Sequence, residues 1–176
     1  MVIYRGPPAP RLLFVGEAPG KEEDARGLPF VGRSGGLLDT AIAKACWPAD
    51  AVGVTNVVMC RPPRNRLPPG AVEACHPWLE QKVRLLDPPV LATLGGTALR
   101  ALVPDAPRPL EAAGRWYSWE GRPLFALLHP AATLRSRRFS QRWDQDWETL
   151  RTDLPVLPLR SDGGATSRGP PGRETL

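Results

Sequence analysis

The sequence predicts an α/β fold, a three-layer α/β/α sandwich around a mainly parallel four-stranded sheet. Three observations carry that expectation. Four apolar runs of strand length stand at residues 12–15, 52–58, 90–94 and 124–128. Segments of helical spacing lie between them, at roughly 36–46, 71–86 and 97–102. Strands that alternate with helices build parallel sheets covered on both faces, and they read as unbroken apolar runs because both faces are buried. The unusual residues, finally, fall at the carboxyl ends of the runs, where folds of this class bind ligands.

The first run, Leu12-Leu13-Phe14-Val15, passes directly into the sharp turn Gly16-Glu17-Ala18-Pro19-Gly20. Gly27, Gly32, Gly35 and Gly36 follow, around Pro29-Phe30. Glycine permits close backbone approach at a cost in chain entropy. A glycine cluster around one carboxylate and one aromatic ring therefore reads as a pocket wall. The helical segment 36–46 leads to the second run, which carries Asn56 near its end. A basic proline loop follows it, Cys60-Arg61-Pro62-Pro63-Arg64-Asn65-Arg66.

After the helical segment 71–86, the third run ends in Gly95-Gly96-Thr97, a glycine-rich entry to the helix 97–102. Residues 114–125 read as a hairpin turning at Glu120-Gly121 and feeding the fourth run. That run ends at His129-Pro130, and a last helix is expected from about 141 to 150. With 176 residues the chain is long enough for one well-cored domain, expected over 1–160. Residues 161–176, rich in Gly, Pro and Ser, read as a flexible tail.

Composition narrows the classes of function. Hydrophobic residues make up 42% of the chain, which suits a globular core. No apolar run approaches the roughly 20 residues that span a bilayer, and the first ten residues carry no signal-peptide core. The three cysteines, Cys46, Cys60 and Cys75, fit a reducing compartment, and an odd number argues against a disulfide framework. A cytoplasmic protein without a membrane partner is expected. The net charge of +5 and the pI near 9.6 point to a polyanionic partner. Of the 23 basic residues only Lys21, Lys44 and Lys82 are lysine. Arginine grips phosphate with a planar, bidentate fork. Because the same bias suits a GC-rich genome, the position of the arginines says more than their number.

Each strand end offers chemistry. The Asn56 amide sets a donor beside an acceptor, a pattern that matches the N3–H and O4 of uracil; an Asn satisfying a turn is the plainer reading. Phe30 can stack on a flat ring or fill core. His129 can donate to an oxygen that gains negative charge, or pack at a strand end. Glu17 can orient or activate a water, or cap a helix. Their shared location favours a site. Arg61, Arg64 and Arg66 on one side, with Arg135, Arg137, Arg138 and Arg142 on the other, can clamp a phosphate backbone. The second group also reads as the solvated start of a helix. Leu134 can wedge into a base stack, since an enzyme acting on a base in duplex DNA must first extrude it.

Together, "GEAPG" with "GLPFVGRSGGLLD", then "TNVVMCRPPRNRLPPGAVEACHPWL", then "HPAATLR" resemble the uracil-DNA glycosylase superfamily, most closely its family 4. The motifs lie in order over residues 12 to about 150. The resemblance implies hydrolysis of the N-glycosidic bond of deoxyuridine in DNA, through a flipped-out base and an activated water, leaving an abasic site. It implies Glu17 and His129 as the catalytic pair, with Ala18 beside Glu17 in the water-activating motif. Phe30 would stack on uracil, Asn56 read its edge, and His129 bond O2 of the departing uracil anion. Glu23 would stand near uracil C5 and exclude thymine, and Leu134 would lead the minor-groove wedge. The implied partner is uracil-containing DNA, single- or double-stranded, bound by a monomer. The alternative is a catalytically weak or inactive damaged-DNA-binding protein of the same fold.

Family 4 enzymes generally hold a four-iron, four-sulfur cluster through four cysteines, two of them in a C-x-x-C before the first strand. Cys60 and Cys75 match the second pair, but residues 1 to 11 contain no cysteine and Cys46 matches no ligand position. Two thiolates cannot complete a site that needs four. No cofactor is expected unless further ligands lie upstream or elsewhere.

Overall fold

The structure, a computed structural model, describes residues 1–154. The expected tail at 161–176 and the end of the expected domain lie outside the described residues. Six strands form one sheet: β1 (Tyr4–Arg5), β2 (Leu12–Gly16), β3 (Val52–Asn56), β4 (Val90–Leu94), β5 (Trp116–Trp119) and β6 (Arg122–Leu127), in the spatial order β1-β3-β2-β4-β6-β5. The four inner strands are mutually parallel and match the four apolar runs. Two antiparallel edge strands extend that sheet: β1 pairs with β3, and β5 forms the expected hairpin with β6 through Glu120-Gly121. β1 escaped sequence reading because two residues carry no periodicity.

The helices are α1 (Lys21–Arg26), α2 (Arg33–Lys44), α3 (Ala71–Leu86), α4 (Gly96–Leu102), α5 (Pro109–Ala112), α6 (Pro130–Thr133) and α7 (Arg137–Asp153). They cover both faces of the sheet. Because successive strand side chains point to opposite faces, Leu12 and Phe14 pack with Leu38 and Ala41 of α2 and with Trp143, Trp147 and Leu150 of α7. Phe14 stacks on Trp147 with ring centroids 5.5 Å apart. Leu13 and Val15 face the other way, onto Leu79 and Val83 of α3 and Ala98, Leu99 and Leu102 of α4. Each such fully buried Leu or Phe stabilises the fold by about 1.5–3 kcal/mol relative to exposure. The unbroken LLFV run is what two buried faces demand. No described helix is long and apolar enough to cross a membrane.

Three boundaries differ from the sequence reading. α2 begins at Arg33, so Gly35 and Gly36 lie inside it. A Cβ at Gly35 would fall 1.9 Å from the Phe30 carbonyl oxygen, so glycine here serves close packing against that loop. α2 ends at Lys44, which leaves Cys46 beyond the helix with φ +57°, in the left-handed region. α7 begins at Arg137, where Ser136 Oγ accepts the Phe139 backbone N–H at 3.3 Å. Arg137 and Arg138 therefore occupy a first helical turn instead of the loop that an onset near 141 implied.

The connectivity places the site. From β2 the chain moves to β3 on one side, and then to β4 on the opposite side of β2. The strand order thus reverses between β2 and β4, and the crevice beyond their carboxyl ends is the topological switch point at which such sheets bind ligands.

Candidate active site

A cavity of about 650 Å³ opens at that switch point. Glu17, Ala18, Glu23, Phe30, Asn56, His129 and Arg135 all line it. Every base-pocket residue singled out in the sequence is therefore gathered around one space. Arg61, Arg64, Arg66, Leu134, Arg137 and Arg138 do not line it. Arg61 is half-buried and donates to Asn65 Oδ1 at 3.1 Å; Arg64, Arg66, Arg137 and Arg138 are exposed. Leu134, 45% exposed, stands at the C-terminal end of α6, three residues past Ala131, which does line the cavity.

Asn56 ends β3 and is 1% exposed. Its Oδ1 has no hydrogen-bond partner among the described residues. An unpaired buried acceptor costs about 1–3 kcal/mol, and the residue that carries it lines the cavity. Behind it, Lys82 of α3 donates to the Asn56 carbonyl at 2.9 Å and to Thr55 Oγ1 at 2.7 Å. Burial lowers the pKa of that amine to about 8, against an opposing pull from Cys75.

Phe30 is 5% exposed and adopts φ +54°, a left-handed conformation uncommon for a bulky residue. Gly16, at the end of β2, makes room for it. A Cβ at Gly16 would lie 2.5 Å from both the Phe30 ring and Asn56 Oδ1. The close approach of strand, ring and amide therefore depends on that glycine.

His129 follows β6 and caps α6, its Nδ1 accepting the Ala131 backbone N–H at 3.2 Å. A neutral imidazole that accepts at Nδ1 carries its proton on Nε2, where it is a donor. Burial holds the His129 pKa below the ordinary histidine value; Arg135 adds to that, while Glu17 and Glu23 oppose it. The ring lies 6.0 Å from that of Phe30, centroid to centroid.

Glu17 is fixed by a residue that sequence reading assigned no role. Thr97 Oγ1, at the start of α4, donates to Glu17 Oε2 at 2.5 Å. The contact joins the ends of β2 and β4 across 80 positions of chain, so no local pattern announces it. Lys21, Arg33 and Asn65 also line the cavity and were likewise missed. Lys21 and Arg33 each open a helix, and a lone basic residue there reads as solvated surface.

The chain has three cysteines, against the four thiolates of the iron–sulfur cluster that the resemblance implies. Cys46 and Cys60 are exposed and Cys75 is half-buried, all as free thiols. Among the described residues no group of three or more His, Cys, Asp or Glu side chains gathers around a point.

Comparison with known proteins shows the family. The chain is 38% identical to the type-4 uracil-DNA glycosylase of Pyrobaculum aerophilum over 144 residues, which cover 77% of this chain and 74% of that protein. It is 37% identical to that of Thermotoga maritima over 140 residues, 78% of this chain and 73% of the relative. Against the Sulfurisphaera tokodaii protein of the same type it is 33% identical over 165 residues, 88% of this chain and 74% of the relative. The sequence model of the uracil DNA glycosylase superfamily matches residues 3–151, nearly the whole described domain, and the chain belongs to that superfamily.

Proposed function

We propose that this chain is a DNA-repair glycosylase that hydrolyses the N-glycosidic bond of deoxyuridine in DNA, releasing uracil and leaving an abasic site. The observation that carries this reading is the pairing of Asn56 with a neutral His129 around one cavity. Asn56 presents an unused acceptor to uracil N3–H, and its amide N–H can meet O4. As the C1′–N1 bond breaks, its electron pair passes to the base and negative charge gathers on N1 and the carbonyl oxygens O2 and O4. The His129 Nε2–H donates to O2 and stabilises that charge without giving up its proton. Glu17, held by Thr97, orients a water toward C1′ and receives the proton as the new C–O bond forms. Phe30 stacks on the base. Arg135 at the cavity mouth, with half-buried Arg61 and the exposed Arg64, Arg66, Arg137 and Arg138, grips phosphates. Leu134 fills the space that the extruded base leaves in the stack. The enzyme works as a cytoplasmic monomer on single- or double-stranded DNA.

Incubation with an oligonucleotide containing one deoxyuridine, followed by alkali, is expected to give scission at that position. Retained binding of the oligonucleotide without scission would instead identify a damaged-DNA-binding protein. Gly16→Ala is a sharper probe of the pocket itself. Its added methyl must push Phe30 and Asn56 apart, at a cost of about 1–3 kcal/mol in strain. Uracil excision should fall at least roughly tenfold, while the bulk of the sheet stays folded by far-ultraviolet circular dichroism. Unchanged excision would show that the ring and the amide are not jointly seated on that strand end.

A further inference from the structure

We propose that Glu23 is the positioning residue for Phe30, clamping the loop that carries the ring instead of meeting the base itself. The inference deepens the glycosylase reading and rests on it. The carboxylate of Glu23 is spent on backbone. Its Oε1 accepts the N–H groups of Val31, at 3.1 Å, and Gly32, at 2.8 Å, and its Oε2 accepts that of Gly20 at 3.1 Å. One side chain thereby ties the turn after β2 to the two residues that follow Phe30. Hydrogen bonds to a carboxylate are among the stronger kinds, and three of them suffice to hold a bulky residue at φ +54°. The glycines obey the same geometry. A Cβ at Gly20 would come within 2.7 Å of Oε2, and one at Gly32 within 3.0 Å of Oε1. On the far side Gly35 lets α2 press against the Phe30 carbonyl. The ring is thus set from two directions, by the carboxylate in front and the helix behind. A carboxylate engaged in this way serves excision through the ring it places.

The two roles separate experimentally. Glu23→Ala should lower uracil excision by roughly ten- to a hundredfold, the equivalent of one or two lost charge-assisted bonds. Inhibition by free uracil should weaken, and thymine should still not be released. Because Glu23 acts through Phe30, the double variant Glu23→Ala/Phe30→Ala should be no slower than Phe30→Ala alone. Glu23→Gln, which keeps an acceptor for Val31 and Gly32 but turns an amide N–H toward Gly20, should fall between wild type and Ala, and it serves if Glu23→Ala fails to fold. Without any substrate, the nuclear Overhauser contact between the Phe30 and His129 rings should disappear in Glu23→Ala. New thymine release, additive losses in the double variant, or an intact ring contact would each overturn the proposal. A wild-type protein that releases no uracil would defeat the glycosylase reading instead, and the ring contact would still test the clamp.

Discussion

Asn56→Ala should slow uracil excision by two to three powers of ten and leave the melting temperature almost unmoved. The size follows from two hydrogen bonds to a base that turns anionic as it leaves, about 3–4 kcal/mol together. The stability claim follows from the free state. Asn56 Oδ1 has no partner among the described residues, so its deletion breaks no bond there and removes an unpaired buried acceptor. The truncated side chain borders a cavity that already exists, so little new void is created. Single-turnover excision and thermal denaturation of the same preparation check both halves. Near-wild-type excision would remove the base-reading role, and a joint collapse of activity and stability would make Asn56 a structural residue.

His129→Asn should cost about a hundred- to a thousandfold in rate, the usual loss when one preorganised donor to a developing oxyanion is removed. Asparagine is chosen because it is a good N-cap and can still accept the Ala131 N–H, so α6 keeps its cap while the Nε2–H donor is lost. The pH profile carries a second test. The His129 pKa in the fold is lowered, chiefly by burial, below its value in the unfolded chain. Protonation at Nδ1 would break the bond from Ala131, so the neutral form is the working one. The wild-type rate should therefore hold as pH falls to the ordinary histidine value near 6.5 and drop only below it. The sign for stability agrees. Between the folded and unfolded values the unfolded chain binds more protons, so this contribution is fully present above about pH 6.5 and is lost as pH falls toward the folded value. His129→Asn should abolish that dependence. A wild-type rate that rises on acidification would mean that the imidazolium, not the neutral ring, is the donor.

Much of this was legible in the chain before any coordinates. LLFV, VGVTN, VLATL and LFAL announced a parallel sheet because strands buried on both faces have no reason to alternate. The site residues could be placed because such sheets bind ligands at their carboxyl ends, and Glu17, Asn56 and His129 all stand there. Short elements were lost. The Tyr4–Arg5 strand exists only through pairing with Val54 and Thr55, and α1, α5 and α6 are too short for a helical period to show. Gly35 was left outside the helix because propensity is local, whereas it is required there by a carbonyl pressed against the helix.

The amino-acid sequence by itself determined the layering, the strand ends that bear the chemistry and the family of the chain, since each is written in residue type and spacing over short stretches. Only the tertiary structure decided how those residues serve one another. Thr97 on Glu17, Lys82 behind Asn56, the Ala131 amide on His129 and the three backbone amides on Glu23 are decided by distance and angle. Burial and hydrogen bonding set the protonation of His129 and the posture of Phe30, and both arise when segments far apart in the chain are folded against each other. A residue's identity names what it can donate or accept; its partner is known only once the chain has closed around it.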